Sequence, residues 1–152
     1  MQCADIFHLK VDITQLGMDQ RKVNMLAREI GPKIGLWKPV AIHHHMLMGL
    51  TQPPPATEDD KIERTINIKM SKSNPDSAIF MDDSEEEVTR KINKAYCPPN
   101  TITENPLLDY SKHIIFPNFE SLRIQRDKKY GGDMEFKTFE ELTQSYAAGK
   151  LH

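Results

Sequence analysis

Apolar and polar residues alternate over residues 6–13, where Phe7, Leu9, Val11 and Ile13 fall between His8, Lys10 and Asp12. A period of two predicts a strand there, or a strand entered from a short helical turn. Gly17 and its polar neighbours Asp19 and Gln20 break the pattern. Val23, Leu26, Ala27 and Ile30 then recur at the spacing of one helix face, with Asp19 as the predicted N-cap and Gly31-Pro32 as the predicted stop. Val40-Ala41-Ile42 begins a second short strand, which runs into His43-His44-His45 and the apolar stretch from Met46 to Leu50. Strand, glycine turn and helix in that order present polar groups at the carboxyl edge of a parallel sheet. Gln2, Asp5, Asp19 and Gln20 are expected to gather at that edge, where Asp19 by itself reads first as a cap.

The middle of the chain is polar. Pro53-Pro54-Pro55 and Glu58-Asp59-Asp60 predict an extended connector over residues 51–64. Residues 65–68 lead into Lys69-Met70-Ser71-Lys72-Ser73-Asn74-Pro75-Asp76, too polar for a core, with Pro75 disfavouring helix at Asn74. An exposed loop carrying the ammonium groups of Lys69 and Lys72 is expected. Compact charges on flexible stems suit a polyphosphate that gains negative charge as it leaves.

Local end signals dominate the remainder. Ser84-x-x-Glu87 is a capping box, with Glu85, Glu86 and Glu87 in the first turn and Arg90, Lys91 and Lys94 toward the end. Val88, Ile92 and Ala95 or Tyr96 are the predicted buried stripe, and Pro98-Pro99 the stop. Asn105 as cap and Pro106 as first residue predict a helix to about residue 116. Residues 122–125 and 134–137 predict a hairpin around Tyr130-Gly131-Gly132-Asp133. Thr138-x-x-Glu141 opens a last helix through Phe139, Leu142 and Tyr146, which Gly149 closes.

Composition changes little in this picture. At 152 residues, 38% hydrophobic and 28% charged, the chain holds one domain with a core, or parts of two. A formal net charge of -2 excludes wrapping by nucleic acid through bulk electrostatics but leaves room for a local basic face, for which Arg90, Lys91, Lys94 and residues 123–129 are candidates. No apolar run has the length of a membrane span, and no signal-peptide pattern opens the chain. Cys3 and Cys97 have no metal spacing and read as idle cytosolic thiols. His43, His44 and His45 alternate faces on a strand without a carboxylate cluster, so they read as a polar strand edge, and no metal site is expected. Composition does not change at either end, and the chain is expected to start and stop inside a larger protein.

Lys69-Met70-Ser71-Lys72-Ser73 matches, letter for letter, the second signature of the class I aminoacyl-tRNA synthetases. Val11-Asp12, residues 17–22, Leu26-Ala27-Arg28-Glu29, residues 91–97, Lys112-His113-Ile114-Ile115-Phe116-Pro117 and Tyr130-Gly131-Gly132 agree with it in order and spacing. Together they resemble the tyrosyl-tRNA synthetase family, in its cytosolic eukaryotic and archaeal branch, over nearly the whole chain.

The resemblance implies an α/β fold. Residues 1–97 would be the second half of a Rossmann-like parallel-sheet catalytic domain that includes the lysine loop. Residues 98–152 would be the beginning of a mostly helical anticodon-binding domain. It implies that Gln2, Asp5 and Gln20 contact tyrosine, with Asp5 near the amino group, where an ammonium needs an anion. Gly17 and Asp19 would approach the ATP ribose, Met46 and Leu47 would pack the adenine, and Lys69, Ser71, Lys72 and Ser73 would serve the pyrophosphate. ATP as substrate, Mg2+ accompanying it without identified protein ligands, tRNA(Tyr), a cytoplasmic location and a homodimer of the intact enzyme are implied likewise.

Departures accompany the likeness. Leu16 stands where the family often has a first glycine, Thr14 replaces a common polar residue, and residues 51–68 are long for the connection they make. The earlier His-x-Gly-His signature is absent, and the groups that recognise the tyrosine hydroxyl would lie upstream, so the segment alone should be inactive. The competing readings are a tryptophanyl-tRNA synthetase and a non-catalytic RNA-binding or interaction module built on the same fold.

Overall fold

The computed structural model describes residues 1–53, 68, 70 and 73–151. Most of the expected connector, together with Lys69, Ser71 and Lys72, lies outside the described residues. The chain divides into two compact units, Met1–Met46 and Leu47–His152.

The first unit opens with a helix, α1, over Gln2–His8, so of the two readings of residues 6–13 the strand entered from a helical turn is the nearer, with the helix longer and the strand later than expected. Met1 O accepts the amides of Ala4 and Asp5, Leu9 N–H closes on Asp5 O, and Lys10 leaves the helix at φ 54. The period of two was an accident of reading across a helix end into a strand entrance. The strand itself, β1, is Ile13–Gly17, and it pairs in parallel with β2, Val40–His44, in a register that sets Ile13 opposite Val40 and Gly17 opposite His44. Between them a 3-10 turn, Met18–Gln20, leads into α2, Arg21–Lys33.

Helix α2 departs from expectation at both ends. No side chain caps its N-terminus, so Asp19 is not the cap. Gly31-Pro32 does not stop it either, because a proline in the last turn removes only one backbone bond. The stop is Gly35, at φ 77, where Leu36 N–H reaches Gly31 O and Gly35 N–H reaches Pro32 O, a Schellman ending. Gly31 serves packing instead: a Cβ there would collide with Trp37 O and the Phe7 ring. The Phe7 and Trp37 rings meet edge to face at 5.4 Å. The buried face is Asn24, Ala27 and Gly31, one residue round from the expected stripe, while Leu26 is 46% exposed.

The second unit follows its local signals. Helix α3, Glu85–Lys94, is capped by Ser84 Oγ, which accepts Glu87 N–H at 3.2 Å. Its buried residue is Lys91, whereas Val88 and Ile92 are half-buried. Asn105 Oδ1 accepts the amides of Leu107 and Leu108 and starts α4, Pro106–Tyr110, which continues through a π-helical stretch, Ser111–Ile115, into α5, Phe116–Asn118. The hairpin is present: β3, Leu122–Ile124, pairs antiparallel with β4, Met134–Phe136. Thr138 Oγ1 accepts Glu141 N–H to cap α6, Phe139–Ala147, and Gly149 ends it at φ 69. Leu108, Phe136, Leu142, Tyr146 and Leu151 form the core of this unit, flanked by Phe116, Leu122, Ile124, Met134 and Phe139.

Candidate functional site

In the first unit the expected site residues fall into two groups. Gln2 and Asp5 are three residues apart on α1 and therefore share a face. With Thr14, Gln15 and Leu16 of β1 they line an open groove of about 250 Å3. Gly17, Asp19 and Met46 make the second group, where β1 ends. Asp19 N–H points to Met46 Sδ at 3.4 Å. A Cβ on Gly17 would lie 2.8 Å from Asp19 Oδ1 and 3.2 Å from Met46 Cγ. A side chain there would have to displace the Asp19 carboxylate and the Met46 side chain, both of them flexible, and the Gly17 backbone itself is ordinarily extended, with φ -64. Gln20 is half-buried at the end of the 3-10 turn and is not among the residues that line the groove.

A polar layer lies between α2 and the sheet. Thr14 Oγ1 donates to Val40 O at 3.3 Å, and Asn24 Nδ2 stands 3.0 Å from His43 Nε2. Asn24 Oδ1 is buried without a hydrogen-bond partner. Of the three histidines, His43 is thus used inside the unit, whereas His44 is exposed at the strand end. The helical period of the sequence pointed past Asn24, because a polar residue between Val23 and Met25 carries no signal of burial.

In the second unit Leu47 is half-buried and Ser73 is exposed, just before a 3-10 turn at Pro75–Ser77. Two carboxylates fix the chain that follows. Asp76 Oδ1 accepts Arg90 Nη2 at 2.7 Å, and Arg90 also binds Glu87 Oε2 at 2.8 Å. Hydrogen bonding from Arg90 holds the Asp76 carboxyl below its ordinary range, and the two carboxylates raise the guanidinium. Asp83 Oδ2 meets Lys91 Nζ at 2.5 Å and accepts Phe80 N–H at 2.8 Å. Lys91, 4% exposed, also sits 4.7 Å from the centre of the Phe80 ring. These bonds, Lys91 first and the Phe80 amide second, lower the Asp83 carboxyl.

Part of the candidate basic face is thereby engaged by carboxylates within the unit. Lys91 is buried and paired, Arg90 is held by Asp76 and Glu87, and Arg123 is held by Asp133 at 2.8 Å. Arg90–Glu87 follows helix spacing, but the Lys91–Asp83, Arg123–Asp133 and Arg90–Asp76 pairs span 8, 10 and 14 residues, too far apart for it.

A parallel strand pair joined through a helix, with a glycine, a carboxylate and a thioether converging at its carboxyl end, defines an α/β protein. The profile of the family described as "tRNA synthetases class I (W and Y)" matches residues 1–152, and the chain belongs to that family. It is 51% identical over its whole length to tyrosine–tRNA ligase 2, cytoplasmic, of Arabidopsis thaliana, covering 19% of that protein. It is 49% identical to the tyrosine–tRNA ligase of Saccharolobus solfataricus, covering 42%. The crystal structure of tyrosyl-tRNA synthetase complexed with L-tyrosine from Pyrococcus horikoshii superposes with a TM-score of 0.85 at 42% identity, over 99% of this chain and 44% of that one. The chain therefore spans less than half the length of these relatives. No helix among the described residues is long and apolar enough to cross a membrane.

Proposed function

We propose that the chain is a segment of a tyrosine–tRNA ligase. Residues 1–97 would be the second half of its catalytic domain, and residues 98–152 the start of its anticodon-binding domain. The observation that carries this reading is the convergence of Gly17, Asp19 and Met46 at the carboxyl end of a parallel pair, in a chain 51% identical to a tyrosine ligase. The sheet supports the half-domain placement. Parallel sheets are covered on both faces, and a two-stranded one is too small to stand alone. Here Ile13, Val40 and Ile42 are 59%, 51% and 49% exposed.

In this reading Gln2, Asp5 and Gln20 face tyrosine, and the Asp5 carboxylate pairs with its ammonium. Gly17 and Asp19 receive the ribose of ATP, while Met46 and Leu47 pack against the adenine. The tyrosine carboxylate attacks the α-phosphorus, the bond to the bridging oxygen breaks, and pyrophosphate leaves with the electron pair. Lys69 and Lys72, with Ser71 and Ser73 beside them, offset the charge that grows on that leaving group. Mg2+ travels with the ATP phosphates, and no protein ligand is assigned to it. Tyrosyl then passes to tRNA(Tyr). The intact enzyme would be a cytoplasmic homodimer. Identities of 42–51% to tyrosine enzymes favour tyrosine over the tryptophan alternative. The RNA-binding module loses ground because Arg90, Lys91 and Arg123 are held by carboxylates.

The test is tyrosine-dependent ATP–pyrophosphate exchange in the intact parent enzyme. Replacing Lys69 and Lys72 by alanine should lower kcat by about a hundredfold or more while tyrosine binding persists. Preserved exchange with weakened tRNA binding would favour the RNA-binding module. Robust exchange by residues 1–152 alone would overturn the half-domain placement.

A further inference from the structure

A cavity of about 480 Å3 lies within the second unit, where α4, β3 and α6 meet. Leu108, Leu122, Ile124, Leu142 and Leu151 supply its apolar walls. Leu108, Leu142 and Leu151 are 5%, 3% and 7% exposed, so the walls are side chains of the core itself and not of an open face. The volume is that of a site for one small molecule.

The hydroxyls on this cavity are already engaged. Ser111 Oγ donates to Leu107 O at 2.7 Å, and the Tyr146 hydroxyl donates to Pro98 O at 2.7 Å. Cys97, exposed and with its Sγ 3.2 Å from that hydroxyl, lines the same space. Arg126 differs from these. It is half-buried, its Nε donates to Gly132 O at 3.1 Å, and its Nη1 donates to Lys150 O at 2.7 Å. Two carbonyls thus fix the plane of the guanidinium without neutralising it. The Asp133 carboxylate is turned to the Arg126 amide at 3.0 Å and to the Arg123 guanidinium at 2.8 Å. Among the described residues no carboxylate pairs with the Arg126 side chain. A guanidinium carries five N–H donors, and the two carbonyl bonds leave those of Nη2 available.

An apolar recess lined by one unpaired cation matches a ligand with an apolar body and one anionic end. A peptide or a sugar would carry amides or hydroxyls against walls that offer them no partner, whereas an alkyl chain brings none. One guanidinium balances one charge, which favours a carboxylate over a phosphate dianion. We propose that this cavity binds a medium-chain aliphatic carboxylate, its tail among the leucines and Ile124 and its head on Arg126. The site lies entirely in the second unit and does not depend on the ligase reading.

The experiment titrates decanoate into the intact parent enzyme at neutral pH. Binding is followed by calorimetry and by the rate at which iodoacetamide alkylates Cys97, read at the peptide level by mass spectrometry. One decanoate per chain should bind, and Cys97 should become shielded in step with occupancy. Octanoate should bind about fifteenfold more weakly, two methylenes at about fourfold each. Decan-1-ol should bind about tenfold more weakly than decanoate, and Arg126→Gln should lose about tenfold for decanoate and nothing for decan-1-ol. Ile124→Trp fills the recess and should abolish binding of both. No saturable binding in the parent, binding that leaves Cys97 fully reactive, or equal affinity for decanoate and decan-1-ol would overturn the proposal. Tighter binding of decyl phosphate, or of a peptide ending in leucine, would overturn it as well. Should Arg126→Gln fail to fold, its two carbonyl ties being lost, Ile124→Trp and the decan-1-ol comparison decide the matter by themselves.

Discussion

The two compact units stabilise themselves in different ways. Leu47–His152 carries a contiguous apolar core in which Leu108, Phe136 and Leu142 are 5%, 3% and 3% exposed. Met1–Met46 has a buried Ile6 and Ala27, a buried Asn24 against a half-buried His43, and a two-stranded parallel sheet with Ile13, Val40 and Ile42 half open to solvent. Yet the first unit holds Gln2, Asp5, Gly17, Asp19, Gln20 and Met46, most of the residues proposed to face substrate. A sheet edge that presents polar chemistry gives up apolar area along that edge. The first unit leaves apolar sheet residues open, whereas the helix-and-hairpin unit closes on a core of its own.

The contrast is tested most severely in the second unit. Phe136→Ala should cost about 3–5 kcal/mol, because it empties the centre of a closed core. Trp37 is the single tryptophan of the chain and lies in the first unit, so its fluorescence reports that unit separately from far-UV circular dichroism. The dichroism midpoint in urea should fall, with a smaller change in the fluorescence midpoint. Equal shifts would mean one cooperative block and dissolve the contrast.

A smaller effect is expected at Asp83. Hydrogen bonds from Lys91 and from the Phe80 amide lower its carboxyl in the folded state, so the unfolded chain binds the proton at higher pH. The stability it contributes is present above the ordinary carboxylate range near about 4 and is lost as pH falls through the lowered folded value. Asp83→Asn should lower stability at neutral pH and flatten the acid limb between those values, read from urea midpoints across pH 2–7. An acid limb as steep as in the parent would show that Asp83 is not its source.

What the sequence made legible follows from the range of each interaction. Ser84, Asn105, Thr138 and Gly149 were readable as helix ends because a cap and its partner sit within three residues. The hairpin was readable from the glycine pair of its turn, and the strand at Val40 from its short apolar run, although their pairing partners lie farther off. Helix α1 was not, since Phe7, Leu9, Val11 and Ile13 mimic a strand across a helix end that only the backbone at Lys10 reveals. Gly17 and Asp19 stood out as a glycine turn, but their contact with Met46 crosses 27 positions. The bond from Met48 N–H to Asp109 Oδ2 crosses 61, and no local pattern encodes it.

The smallest effect is the most discriminating for the first unit. Ile42 is 49% exposed on β2, so Ile42→Ser in residues 1–152 should change stability by no more than about 0.5 kcal/mol. In the intact parent the same substitution should cost about 2 kcal/mol, because the half-domain placement requires further strands or helices to cover that face and bury the side chain. The comparison needs only two urea curves for each protein. A negligible cost in both would leave Ile42 at a true surface, and the open sheet would then be a property of the protein instead of a sign of missing structure. A large cost already in the short chain would mean that Ile42 is covered there, and that the first unit closes its own core after all.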